Sequence, residues 1–252
     1  MKKTYYLIVI LLLAINNLQA QENDTIVENT FFMEGNIPQM YLEHVDRISL
    51  QFVSISKKQF LNFKTHQPDS NYIFNSPIYT SAPFTITTKK TEYKFRNTPY
   101  DDEYRYIGYV PEINSHIISE CKWVCVNYLL DNETDEKMML PCDFDSGVLG
   151  LKISASKKQM LMYLSYDAAN YADYYSHRAE IIFMQIGDAK GFHKLTNPKI
   201  CIITEWSIED IVWIDEKSIA LKVYDKYEDV WVEAWGHSIH EPVYQYFKAE
   251  IK

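Results

Sequence analysis

Residues 147–166, GVLGLKISASKKQMLMYLSY, hold two apolar runs separated by a short polar spacer. Met160 to Leu164 is unbroken apolar sequence followed by Ser165 and Tyr166, which suits a buried strand. Nearly the same spacer occurs 100 residues earlier, where SISKKQFLNF (54–63) stands against SASKKQMLMY (154–163). In the earlier copy, Ser56 followed by Gln59 fits a capping box, and Ile55 with Phe60 fits a hydrophobic staple. Lys57 to His66 is therefore read as a short helix with Phe60 and Phe63 on its inner face. In the later copy the staple position holds only Ala155. Strand-like runs precede both copies, ISLQF and LGLKI, but nothing else aligns, so one turn-prone hexad has been used twice for different ends.

Working outward, short runs of alternating or continuous apolar character fall into groups of four from Tyr104 onward. YRYIGYV, a PEIN turn, SHIIS, WVCVNYLL, a DNETD turn and EKMML form one group. GVLGLKI, QMLMYLSY, RAEIIFMQI and, after GDAKG, FHKLT form a second. DIVWI, the turn residues DEK, SIALKVY, VWVEAW and PVYQYFKAEI form a third. The chain is thus read as mainly β, with a meander domain over 104–252 made of about three four-stranded antiparallel units. Residues 21–99 form a smaller α+β segment carrying the helix, and NTPYDDE is the linker.

In the second unit, ISASKKQMLMYLS occupies the place where WD-repeat and Tol-type propellers carry a Ser-Pro-Asp-Gly-Lys turn before an apolar strand. IEDIVWIDEKSIALKVYD looks like the Trp-bearing entry strand of a next unit. From Tyr104 the chain also resembles uncharacterised exported proteins of Bacteroidetes-type bacteria, in which a YIGY-type strand, a turn and a LID-type strand precede such a turn. The resemblance implies propeller-like blades in an exported protein. A closed ring needs at least four blades, so a ring and a partial or sandwich-like stack both stay open.

The first twenty residues read as a secretory signal: Lys2 and Lys3 precede an apolar run from Tyr5 to Ile15, and Ala20 stands at a cleavage point. The run is too short to span a bilayer, so no membrane span is expected after cleavage at Gln21. A periplasmic or secreted location follows. Cleavage takes the formal charge from −9 to −11, because two lysines and no acids leave with the signal. A chain this acidic does not neutralise phosphates, so nucleic acid is excluded as an expected partner. A basic protein fits better.

Four cysteines, Cys121, Cys125, Cys142 and Cys201, sit in a chain expected in an oxidising compartment. If Asp131 faces Glu136 across a hairpin, the same register sets Cys125 opposite Cys142, and a disulfide there would contribute about 3 kcal/mol. Cys121 and Cys125 lie in one run of strand character, roughly 13 Å apart, and should not bridge each other. Cys121 with Cys201 is the pairing left over. No CxxC pattern points to zinc.

Catalytic motifs are lacking: there is no GxSxG, HExxH, Walker loop or dinucleotide turn, and no cofactor or metal is expected. HSIHE (237–241) is read as loop sequence before Pro242. DFDSG (143–147) is read as an Asx-rich turn. The Trp residues 206, 213, 231 and 235, beside predicted strands, are read as core. The segment richest in polar aromatics is YDAANYADYYSHR (166–178), long for a hairpin connection. Tyr166, Asp167, Tyr171, Asp173, Tyr174 and Tyr175 are its candidate binding residues, offering flat apolar faces with polar tips. The expectation is an exported, non-catalytic protein that recognises a protein partner through loops, one form being an inhibitor or immunity-type protein masking a basic enzyme. A glycan-binding module using Tyr and Trp platforms, and an enzyme whose site is assembled from distant residues, are the other readings.

Overall fold

A computed structural model describes residues 45–66, 71–73, 83–95, 104–121, 125–140, 150–165, 177–232 and 237–251. The strands are β1 (Asp46–Arg47), β2 (Phe52–Ser54), β3 (Asn71–Ile73), β4 (Phe84–Thr87), β5 (Glu92–Phe95), β6 (Tyr104–Val110), β7 (Ser115–Cys121), β8 (Cys125–Asp131), β9 (Lys137–Met139), β10 (Gly150–Ile153), β11 (Gln159–Ser165), β12 (Ala179–Ile186), β13 (Leu195–Ile203), β14 (Ser207–Asp215), β15 (Ser218–Val232) and β16 (His237–Glu250). One helix, α1 (Lys57–Thr65), lies between β2 and β3. No helix among the described residues is long and apolar enough to cross a membrane.

The architecture is mainly β and follows the expected meanders. β6-β7-β8-β9 form one antiparallel sheet. β10-β11-β12-β13 form a second, with β3 added beside β10 and β1 added in parallel beside β13. β14-β15-β16 form a third, completed by β2 against β16. The third sheet departs from expectation in one respect. SIALKVY and VWV belong to a single strand, because the ladder with β16 lapses at Asp225–Lys226 and resumes at Tyr227 opposite Pro242. Those two residues make a bulge, which bends a strand without reversing it.

Period-two alternation stacks the sheets. Met160, Met162 and Leu164 of β11 pack with Ile117, Leu129 and Met138 of the first sheet. Leu161 and Tyr163, pointing the other way, pack with Ile211, Trp213 and Leu221 of the third. The second sheet is therefore the middle layer, which explains the unbroken apolar run of β11. The outward faces of the stack are covered too. Ile86, Tyr93 and Phe95 of the β4–β5 hairpin cover Ile118 and Leu130 of the first sheet. Phe60 of α1 covers Val212 and Ala220 of the third. With both end faces capped, the sheets bury their apolar surface without closing into a ring.

Helix α1 begins as its sequence predicts. Gln59 N–H donates to Ser56 Oγ at 3.2 Å and Ser56 N–H donates to Gln59 Oε1 at 2.8 Å, closing the capping box. The second SxSKKQ copy is a turn instead. Ser156 N–H and Ser154 Oγ–H donate to the carboxylate of Glu216, and Lys157 takes a left-handed φ of 63°.

Candidate functional site

The third sheet does not end where its neighbours end. β14 accompanies β15 only as far as Tyr224, and β2 accompanies β16 only over Phe247 to Ala249. Beyond Tyr224 and Tyr244 the two longest strands continue as a ribbon paired with no further strand among the described residues, with Asp229 opposite His240, Val230 opposite Ile239 and Trp231 opposite Ser238. Residues 225–231 are all exposed.

Cross-strand partners share a face, so Tyr227, Asp229, Trp231, Ser238, His240 and Pro242 lie on one side. Glu228, Val230, Ile239 and Glu241 lie on the other. Trp231 is 63% exposed, and Val230 and Tyr227 are exposed as well. The ribbon carries Asp225, Glu228, Asp229 and Glu241 against one lysine, Lys226. Glu228 stands directly opposite Glu241, a like-charge pairing that costs stability in an isolated sheet. His240 Nδ1 lies 2.7 Å from Asp229 Oδ1. At the root, Tyr224 meets Tyr227 and Tyr244 edge-on, and the Lys222 ammonium sits 3.5 Å from the Tyr244 ring centre.

This end of the molecule is also where the tyrosine-rich excursion leaves the middle sheet. Tyr166, Asp167, Tyr171, Asp173, Tyr174 and Tyr175 lie outside the described residues, as do DFDSG, Cys142 and Trp235. The flanks of the excursion are described. Ser165 Oγ accepts from Ile208 N–H at 2.7 Å. Arg178 donates to Ser207 Oγ and to the carbonyls of Glu205 and Asp225. One guanidinium thus ties the start of β12 to the first residue of the ribbon. Next to it, His177 Nε2 lies 2.6 Å from Glu180 Oε1 with both side chains largely buried.

Several sequence expectations are corrected here. Trp231 is not core, whereas Trp213 is buried and donates to the Lys152 carbonyl. The signal was present in YDKYEDVWV, where charges fall on both faces and leave neither side apolar enough for a core. HSIHE is strand, not loop, with Pro242 tolerated because no described strand pairs with the outer edge of β16 there. Cys121 and Cys125 lie not along one strand but opposite each other in the antiparallel β7–β8 ladder. Tyr128 opposite Met139 and Leu130 opposite Lys137 give the register that was read from Asp131 and Glu136. Cys201 is a free thiol buried between the middle and third sheets, so it does not bridge Cys121, and burial pushes its pKa up.

Asp210 lies between two ammonium groups, those of Lys152 and Lys64. Burial alone would raise its carboxyl, but Lys152 and Lys64 outweigh that and hold it below the usual range. Among the described residues no group of three or more His, Cys, Asp or Glu side chains is placed to hold a metal. Comparison of the chain with protein-family models, curated proteins and solved structures finds no match.

Proposed function

We propose that the protein is exported and works by binding, and that its partner is a protein with a basic face that takes the β15–β16 ribbon. The carrying observation is the ribbon itself: a two-stranded arm that exposes Trp231 and Tyr227 beside Asp229 on one face, and Val230 with Glu228 and Glu241 on the other. Exposed aromatics surrounded by charge are the composition of an anchor within a polar rim. The opposed Glu228 and Glu241 favour a cationic partner, because a lysine or arginine placed between them would turn a repulsive pair into two attractive ones. The amino-terminal pattern of Lys2, Lys3 and the apolar run supports a periplasmic or secreted location.

The test places a photo-crosslinking residue at Ser238 on the ribbon and, as a control, at Lys90 beside the β4–β5 hairpin. The expected result is an adduct with a basic protein from the Ser238 position alone, weakening as salt rises. Binding of the purified pair should fall about tenfold or more on Glu228→Lys with Glu241→Lys. Adducts only between two copies of this chain, equal labelling from Lys90, or indifference to the charge reversal would overturn the reading.

A further inference from the structure

At the opposite end of the stack, a cavity of about 780 Å³ opens between the first and middle sheets. Glu112, from the short 3-10 turn after β6, lines it together with Lys157 and Lys158 of the β10–β11 turn, Asp188 after β12, and Lys194 before β13. Its volume lies in the range of small-molecule sites. No described residue of the ribbon lines it.

Three lysines around one buried carboxylate are unexpected in a chain of net charge −9. The Glu112 side chain is only 6% exposed. Oε1 takes the Lys157 ammonium at 3.1 Å, while Oε2 is buried and has no hydrogen-bond partner. A buried carboxylate oxygen without a donor is costly, and such groups mark places where a further group belongs. The three ammonium groups are engaged differently. Lys194 Nζ donates to the Glu112 carbonyl at 3.0 Å. Lys157 reaches Glu112 from a left-handed backbone position, and its own side chain is 69% exposed. Lys158 has no acidic partner among the described residues.

This donor and acceptor set excludes simple ligands. A divalent cation would meet two carboxylates, Glu112 and Asp188, outnumbered by three ammonium groups. A plain anion would meet the lysines but also the Glu112 carboxylate, whose unpartnered oxygen it leaves unsatisfied. We infer that the cavity binds a small molecule carrying an acid group beside a hydrogen-bond donor, the donor going to Glu112 and the acid group to Lys157 and Lys158. The ligand's donor goes to the unpartnered Oε2, while Lys157 keeps Oε1 and, with three N–H donors on an ammonium largely in solvent, reaches the incoming acid group as well. Sugar acids, whose donor is a hydroxyl, and α-amino acids, whose donor is an ammonium, share this chemistry.

The experiment titrates the full mature chain by calorimetry with glucuronate and with glutamate, and with glucose and acetate as probes carrying one half of the chemistry each. Saturable binding of glucuronate or glutamate, at least about tenfold tighter than glucose or acetate, is the expected result, and which of the two binds identifies the source. Lys158→Ala, a change at an exposed position, should weaken that binding about tenfold, as should Glu112→Gln in a chain shown to be folded. Failure of both two-group probes, acetate binding as tightly as either, or full affinity in Lys158→Ala would overturn the assignment.

Discussion

Lys152 of the middle sheet and Asp210 of the third sheet form an ion pair across the layer boundary, with Lys64 of α1 on the second carboxylate oxygen at 2.7 Å. Lys152 is almost fully buried, while Lys64 is mostly in solvent. One carboxylate therefore joins the middle sheet, the last sheet and the helix that caps it. Removing the acid leaves the Lys152 ammonium desolvated and unpaired, and breaking a buried pair from one side costs about 3–5 kcal/mol. Asp210→Ala should lose that much in urea denaturation, whereas Asp210→Leu with Lys152→Met should recover most of it. Lys64→Ala, at the exposed partner, should cost less than about 1 kcal/mol.

A second tight relationship locks the first sheet to the segment before β13. Asp131 is buried at the end of β8, where Oδ1 accepts from the Glu133 and Thr134 N–H groups at 2.8 and 2.9 Å. Gly191 approaches so closely that a Cβ there would stand 1.3 Å from Asp131 Oδ2, and its φ of 57° is left-handed. Gly191→Ala combines a clash with a backbone penalty and should destabilise by more than about 2 kcal/mol. Ala at Gly187, where the nearest atom to a Cβ is 3.5 Å away, is the matched control and should stay within about 1 kcal/mol.

Acid sensitivity should appear in two separate windows. Burial lowers His116 below its ordinary 6.5, against the opposing hydrogen bond that its Nε2 makes to Asn132 Oδ1. The unfolded chain therefore takes up a proton before the folded one, so stability is full above 6.5 and falls as pH drops from there through the folded value. Asp210, held below 3.8 by Lys152 and Lys64, adds a second loss that begins only near 3.8 and deepens below it. Stability measured by urea melts from pH 8 to 3 should show both slopes. His116→Gln should remove the upper one and leave the lower.

How much of this was legible depended on whether the deciding contacts were local. The meander registers were, because hairpin turns such as DNETDE fix the pairing of their own flanks, and β11 announced burial on both faces by its unbroken apolar run. The partners of β1, β2 and β3 were not, since those short strands are defined by edges more than 70 residues away in the chain. The ribbon was misread for a related reason. Strand propensity in VWVEAW is the same whether or not a third strand lies alongside, and only the flanking sheet decides exposure. Glu112 gave no sign either, because PEIN reads as a turn and its lysines come from two other turns.

The twin hexads allow one further comparison with a built-in control. Ser56 and Ser156 sit in the same local sequence, yet only Ser56 caps a helix, with its hydroxyl accepting from Gln59 N–H. Ile55 and Phe60 pack over the cap against Val212 and Ala220, a contact Ala155 is too small to reproduce. Ser156 Oγ accepts only from Lys158 N–H at 3.3 Å, and its turn is held instead by backbone and Ser154 contacts to Glu216. Ser56→Ala should therefore cost about 1 kcal/mol, the usual price of a lost cap, and Ser156→Ala less than about 0.5 kcal/mol. Phe60→Ala should cost about 3–5 kcal/mol, since Phe60 is almost wholly buried under α1. Equal losses at the two serines in thermal or urea melts would mean that sequence identity, and not the packed neighbour at the staple position, governs what the hexad becomes.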